Sequence, residues 1–379
     1  MIPVNEPLLN GREKELLAQC IETGWVSSDG PFVREFEQKF AAYIGAKHGI
    51  AVCNGTAAIE TALFAAGVGR GDEVIMPTFT IVSCLVAALR LGATPVLVDS
   101  EPETWGMDVS QIASRITPRT RAILPVHMYG HPVDMDPLLE LAREHGLLVI
   151  EDAAEVHGAE YKGRKCGSLG DVSAWSFYAN KIVNTGEGGM VLTSDDGVAE
   201  RAASYRNLCF RPERRFYHTD LGYNFRMTNL QAALGVAQMD RVEEFVGIKR
   251  RLGQLYRDLL VDIPGLRFQV ERTWAKSVYW MYCIEIDERF GVTADDMRDA
   301  LASRQIGTRP FFLGLHEQPA AHDLDLFVGE RYPVSERIAR QGLYLPSGLT
   351  LTDSLVREVA AAVREAMTEL GGRTSAVHP

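Results

Sequence analysis

Paired cysteines are missing from this chain. Cys20, Cys53, Cys84, Cys166, Cys209 and Cys283 are scattered, with no C-x-x-C pair and no zinc-ligand spacing. That excludes a disulfide-stapled scaffold and a cysteine zinc centre. A chain of 379 residues has no need of staples, so reduced thiols in a cytoplasmic setting are expected. Basic charge is also short: 39 Lys and Arg against 50 Asp and Glu leave a net charge of -11. Neither nucleic acid nor an anionic membrane surface would find a broad basic face here, and an anionic small ligand would need local arginines. Long apolar runs are absent, since the stretch from Ile81 to Leu89 stops at Arg90, too short to span a bilayer. The start, Met1 to Glu6, lacks the basic region and apolar core of a signal peptide. There is no internal repeat and no low-complexity segment.

The residues present read as an α/β protein. Short Val/Ile-rich runs at 49–52, 74–76, 95–98, 122–124 and 148–150 alternate with amphipathic stretches, including Pro137 to Glu144. Such runs are strands buried on both faces of a mostly parallel sheet. The length predicts two domains, and the character changes after about Met239, where a long charged helix begins. The expected division is a large α/β unit, 1–245, and a smaller α+β unit, 246–379. In the second, a strand is predicted from Trp280 to Ile286. Thr293 with Asp296 opens a helix as a capping-box variant, and Leu355, Val359, Ala362, Val363, Ala366 and Leu370 form a helical stripe. The glycine pair Gly371-Gly372 predicts a frayed end.

The chemistry gathers at three places. Lys181 follows the apolar run Val172 to Tyr178 and precedes the glycine-rich turn Thr185 to Gly189, a context for an imine-forming lysine rather than a solvated one. Asp152 ends the apolar run at Val149-Ile150; it either caps the next segment, as many strand-end carboxylates do, or, at the strand edge where open α/β sheets bind ligands, supplies the carboxylate a protonated pyridine nitrogen needs, and the edge position favours the second. Asn54-Gly55-Thr56 opens a helix expected over 58–66, where free N–H groups and the dipole suit a phosphate. A plain N-cap by Asn54 or Thr56 explains that last pattern equally well. Ser176, five residues before Lys181, is either a satisfied strand hydroxyl or a second phosphate donor. Together these residues suggest a pyridoxal phosphate enzyme. Two other patterns carry less. Gly67-Val68-Gly69-Arg70-Gly71 follows a helix and precedes a strand, the reverse of a dinucleotide fingerprint, and reads as a turn. His127 and His131 have H-x-x-x-H spacing, but Gly130 and Pro132 break the helix that would align them, so no metal site is expected. His157 adds no third ligand by spacing.

The motifs Asn54-Gly55-Thr56, Gly71 to Pro77, Val149 to Glu155, Ser176 to Lys181, Gly186 to Gly189 and Gly222 to Met227 resemble those of the DegT/DnrJ/EryC1/StrS sugar aminotransferases. That family shares the fold of aspartate aminotransferase, fold type I of the pyridoxal phosphate-dependent transferases. The resemblance implies that Lys181 carries the cofactor and moves protons, while Asp152 keeps its ring nitrogen protonated. Gly55, Thr56 and Ser176 would hold the phosphate, and Glu155 would lie near the ring hydroxyl. Asn224 would reach the cofactor of a neighbouring subunit, making a homodimer with shared sites. Trp25, Arg309 and His316 fall where sugar or nucleotide contacts are expected. L-glutamate would donate the amine, passing through pyridoxamine phosphate, and a nucleotide-linked keto-sugar would accept it.

Within the family, Trp25 to Ser28, Val126 to Pro132 and Thr308-Arg309-Pro310 are most similar to GDP-perosamine synthases, which aminate a 4-keto-6-deoxy sugar. That branch tends to carry an aromatic residue at Ile81, a glycine at Ala179 and a histidine at Leu313, so the sugar is less defined than the reaction. The substitution at Ile81 predicts an aliphatic cover over the cofactor ring unless Phe79 or another ring swings in. Dehydratases of this fold replace the lysine with histidine, and its retention here favours transamination. The rivals are an aminotransferase for another keto-sugar or keto-cyclitol, UDP- or dTDP-linked, and a cofactor-binding regulatory protein without turnover.

Overall fold

The computed structural model describes residues 1–210, 214 and 216–375. Helices α1 (Glu13–Thr23) and α2 (Pro31–Ile44) lead into a seven-stranded sheet. Its strands are β1 (His48–Val52), β2 (Glu73–Pro77), β3 (Thr94–Val98), β4 (Thr120–Ile123), β5 (Leu148–Asp152), β8 (Val172–Ser176) and β9 (Gly189–Thr193). Between β5 and β8, the short β6 (Glu160–Tyr161) and β7 (Arg164–Lys165) pair with each other, and β6 also pairs with β11 (Ala275–Lys276). The order is β1-β9-β8-β5-β4-β2-β3, and β9 alone runs against the others.

β2 and β8 are buried at every position, as strands covered on both faces by helices must be. The covering helices include α3 (Gly55–Ala65), α4 (Ser83–Arg90), α5 (Met135–His145) and α6 (Asp196–Tyr205), while α7 (Asn229–Met239) packs on α1 and α2. The long helix α8 (Val242–Leu260) leads to a second sheet, β10 (Leu266–Arg267), β12 (Tyr282–Ile286), β14 (Gly342–Leu345) and β13 (Arg309–Pro310). Helix α9 (Ala294–Ser303) packs beside it and α12 (Asp353–Ser375) packs on α8 and α9, while α10 (Pro319–His322) and α11 (Pro333–Gln341) lie between β13 and β14 in sequence.

Two apolar cores result. One surrounds the large sheet and takes in Phe311, Leu315 and Ile338; the other joins Leu252 and Tyr256 of α8 to β12, α9 and α12, and includes Ile2. Thr293 and Asp296 form the anticipated capping box. The turn at Gly67–Gly71 places both end glycines at positive φ, between α3 and β2. Three boundaries differ from the sequence expectation. α3 starts at Gly55 instead of Ala58, because the Asn54 side chain accepts the Ala57 N–H at 2.8 Å and closes the first turn. The strand expected from Trp280 begins at Tyr282, after the left-handed Tyr279. α12 runs through Gly371-Gly372 to Ser375; residues 376–379 of the expected second unit, like 211–213 and 215 of the first, lie outside the described residues. No helix among the described residues is long and apolar enough to cross a membrane.

Candidate active site

A cavity of about 550 Å3 opens at the C-terminal ends of β5 and β8 and at the start of α3. Its size and its place at the edge of a parallel sheet suit a small-molecule site. Gly55, Thr56, Asp152, Glu155, Ser176 and Lys181 all line it.

Lys181 sits in a turn closed by its own N–H to the Tyr178 carbonyl at 2.8 Å. Hydrogen bonds from Ala179 N to Gly186 O and from Thr185 N to Phe177 O fold the glycine-rich segment back on β8, which fixes where the lysine leaves the chain. Its Nζ lies 3.8 Å from Glu155 Oε1 and 3.6 Å from the centroid of the Trp280 ring. Burial presses the Lys181 ammonium toward its neutral form, against the pull of the Glu155 and Asp152 carboxylates.

Asp152 ends β5, where its Oδ1 accepts the Ala154 N–H at 3.1 Å and its Oδ2 accepts the Cys84 thiol at 3.3 Å. Burial pushes its carboxyl up, opposed by those two bonds and by the charge of Lys181. Glu155 is raised by burial as well, opposed first by Lys181 and then by the Tyr129 N–H, which donates to Oε2 at 2.7 Å. A buried carboxylate of this kind, with one backbone N–H as its neutral donor, favours a cationic partner.

At the other end, Asn54 does cap α3 by accepting the Ala57 N–H, and Asn54, Gly55, Thr56 and Ala57 at the helix start line the cavity. The Thr56 hydroxyl meets Ser83 Oγ at 2.7 Å. Gly55 is required by space: a Cβ there would stand 2.8 Å from Ser176 Cβ. We therefore expect Gly55→Ala to fold yet to weaken cofactor binding about tenfold, as overpacking of this size would. Titration of the variant with pyridoxal phosphate measures this, and an unchanged affinity would show that the phosphate lies elsewhere.

Four anticipated residues do not line the cavity. Trp25 is half-exposed after α1, Arg309 is exposed with its guanidinium on the Thr308 carbonyl, and Asn224 is exposed on the surface segment that bridges to Asn207. His316 is buried, with Nδ1 at 2.7 Å from Thr78 Oγ1 and Nε2 at 3.3 Å from Glu336. Both of its ring nitrogens are thus engaged inside the protein. His127 is likewise held by Glu151 and the Val133 N–H, His131 by Pro132 O and Arg272 N, and His157 is packed among Phe40, Trp175 and Phe177.

Ile81 lines the cavity with an aliphatic face, while Phe79 is turned into a cluster with Tyr129, Phe311 and Phe312. The sequence reading missed Trp280, Phe312 and Tyr344 as lining residues, and Cys84 behind Asp152. The first three come from segments far along the chain, so spacing carried no signal of them.

The profile of the DegT/DnrJ/EryC1/StrS aminotransferase family matches residues 7–364. The chain belongs to that family. A GDP-perosamine synthase of Caulobacter vibrioides is 42% identical over 368 residues, covering 97% of this chain and 98% of the relative. A GDP-perosamine synthase of Escherichia coli O157:H7 is 38% identical, with 96% and 98% covered. The crystal structure of DesI in the presence of its TDP-sugar product superposes with a TM-score of 0.90 at 33% identity, covering 100% of this chain and 95% of that one. The chain is a pyridoxal phosphate-dependent sugar aminotransferase on an α/β fold of that class. The cavity fits the cofactor: a lysine and a buried carboxylate flank one end, and a glycine cradle at a helix start lies at the other.

Proposed function

We propose that this aminotransferase moves the amino group of L-glutamate to the C4 keto carbon of a GDP-linked 4-keto-6-deoxy sugar, as a GDP-perosamine synthase does. What carries the reading is identity of 42% over nearly the full length of both chains. When bound, pyridoxal phosphate supplies an electron sink for the charge left on carbon as a proton departs. The residues around it divide the remaining work.

Lys181 would carry the cofactor and then shuttle the proton, a role suited to an amine that burial has pressed toward neutrality. Asp152 would hold the ring nitrogen's proton. Gly55, Thr56 and Ser176 would hold the phosphate, and Glu155 would sit beside the ring hydroxyl while keeping Lys181 in reach.

The test of substrate is a panel of GDP-, UDP- and dTDP-linked keto-sugars with glutamate as donor. Preference for the GDP-linked sugar is the expected outcome. A second reading, a TDP-linked substrate, is favoured by the likeness to DesI, and a preference for that sugar would establish it instead. An amine transferred to none of them would favour the regulatory reading.

The functional unit in this proposal is a homodimer in which Asn224 serves the partner's site, with Trp25 and Arg309 meeting substrate. Supporting it, Ile81, Val82, Tyr178 and Tyr223 leave large apolar surfaces exposed on this chain. Mixing Lys181→Ala with Asn224→Ala subunits gives heterodimers with one doubly damaged and one intact site. Random pairing should then return about a quarter of wild-type activity. No recovery, with subunit exchange confirmed by mass spectrometry, would place Asn224 in its own subunit's site.

A further inference from the structure

Consecutive residues in the first turn of α4 address both ends of the cavity. Ser83 Oγ meets Thr56 Oγ1 at the start of α3, and the next residue, Cys84, turns its thiol to Asp152. Cys84 is fully buried, with Sγ 3.3 Å from Asp152 Oδ2 and 3.8 Å from Thr80 Oγ1. The other Asp152 oxygen is held by the Ala154 N–H at 3.1 Å. The carboxylate is therefore tied from two separate elements, one bond to each oxygen.

We propose that Cys84 is a positioning residue for the reaction: its thiol donates to Asp152 and fixes the plane in which that carboxylate meets the ring nitrogen of the cofactor. This rests on the role given to Asp152 above. The donor assignment follows from chemistry, because an ionised carboxylate accepts only, and burial together with the Asp152 charge keeps the thiol protonated. The Thr80 hydroxyl, which also borders the cavity, completes the chain by donating to the sulfur.

A thiol suits the task. It is a weak donor, so it orients the carboxylate while drawing off little of the negative charge that must hold the ring proton. With the bond removed, the carboxylate is free to turn about its terminal torsion, which is broad by nature.

Infrared spectroscopy of the apoenzyme and holoenzyme reads the bond directly. The S–H stretching band of Cys84, isolated by subtracting the spectrum of Cys84→Ala, is expected at the low frequency of a bonded thiol and should shift when pyridoxal phosphate is added. Cys84→Ala should slow amino transfer about 5- to 10-fold, the scale of one ordinary hydrogen bond and in keeping with a weak thiol donor, and Cys84→Ser should recover most of it. In an Asp152→Asn background the same change should cost less than about twofold. A band at the free-thiol position, no recovery with serine, or an equal loss in both backgrounds would each overturn the proposal. Failure of the underlying role shows separately, as an Asp152→Asn single variant with a wild-type transfer rate.

Discussion

Lys181→Ala is expected to abolish covalent attachment of the cofactor and to lower the transfer rate by at least about 10³-fold, since under the proposed mechanism one side chain would both carry the group and move the proton. The chain offers instructive competitors. Lys249 is also buried, and burial lowers it to about 7, so basicity alone would nominate it as readily. It is spent elsewhere, donating to the Ser347 carbonyl, and it does not border the cavity. Lys162 and Lys165 are paired with Asp136 and Glu160 outside the cavity. Among the described residues only Lys181 combines an amine that burial presses toward its neutral form with a place in the cavity, 3.8 Å from the Glu155 carboxylate. Borohydride reduction of the holoenzyme followed by peptide mapping should label Lys181. A label on Lys249, Lys162 or Lys165 would overturn the assignment.

Much of this arrangement was legible in the sequence because the relevant signals are local. The runs ending at Asp152 and Ser176 are β-rich and apolar enough to mark buried parallel strands, and a lysine between such a strand and a glycine-rich turn has few structural uses. Asn54-Gly55-Thr56 was ambiguous between a cap and a phosphate cradle, and the structure shows why: Asn54 caps while Gly55 gives the clearance against Ser176. What was hidden depends on long-range packing. Trp280 reaches Lys181 from about a hundred residues away, and its indole N–H donates to the Asn180 carbonyl at 2.8 Å, so the segment leading into the second sheet helps shape the first sheet's cavity. β9 reverses direction within an otherwise parallel sheet, which a Val/Leu-rich run cannot reveal. Cys84 looked like one more scattered thiol, since nothing in its neighbours marks the carboxylate 68 positions on.

Asp152→Asn is expected to leave the cofactor bound and the fold intact while slowing the half-reaction with glutamate by about 10²-fold or more, the scale lost when a preorganised charge is removed. The substitution conserves shape and leaves untouched Gly55, Thr56 and Ser176, which line the cavity and which the proposal assigns to the phosphate. What changes is charge. Burial drives the Asp152 carboxyl toward its neutral form, and the Ala154 N–H, the Cys84 thiol and the Lys181 charge each oppose this. A protonated ring nitrogen would oppose it further, and by linkage the carboxylate would hold that ring proton more firmly in return. A neutral amide offers no such exchange, so the ring loses its proton and with it the capacity to accept negative charge from the reacting carbon. Cofactor titration should therefore give near-normal affinity, and rapid-mixing measurements a slow half-reaction. A near-normal rate would show that the ring nitrogen does not depend on Asp152, whatever the position of the carboxylate at the end of β5.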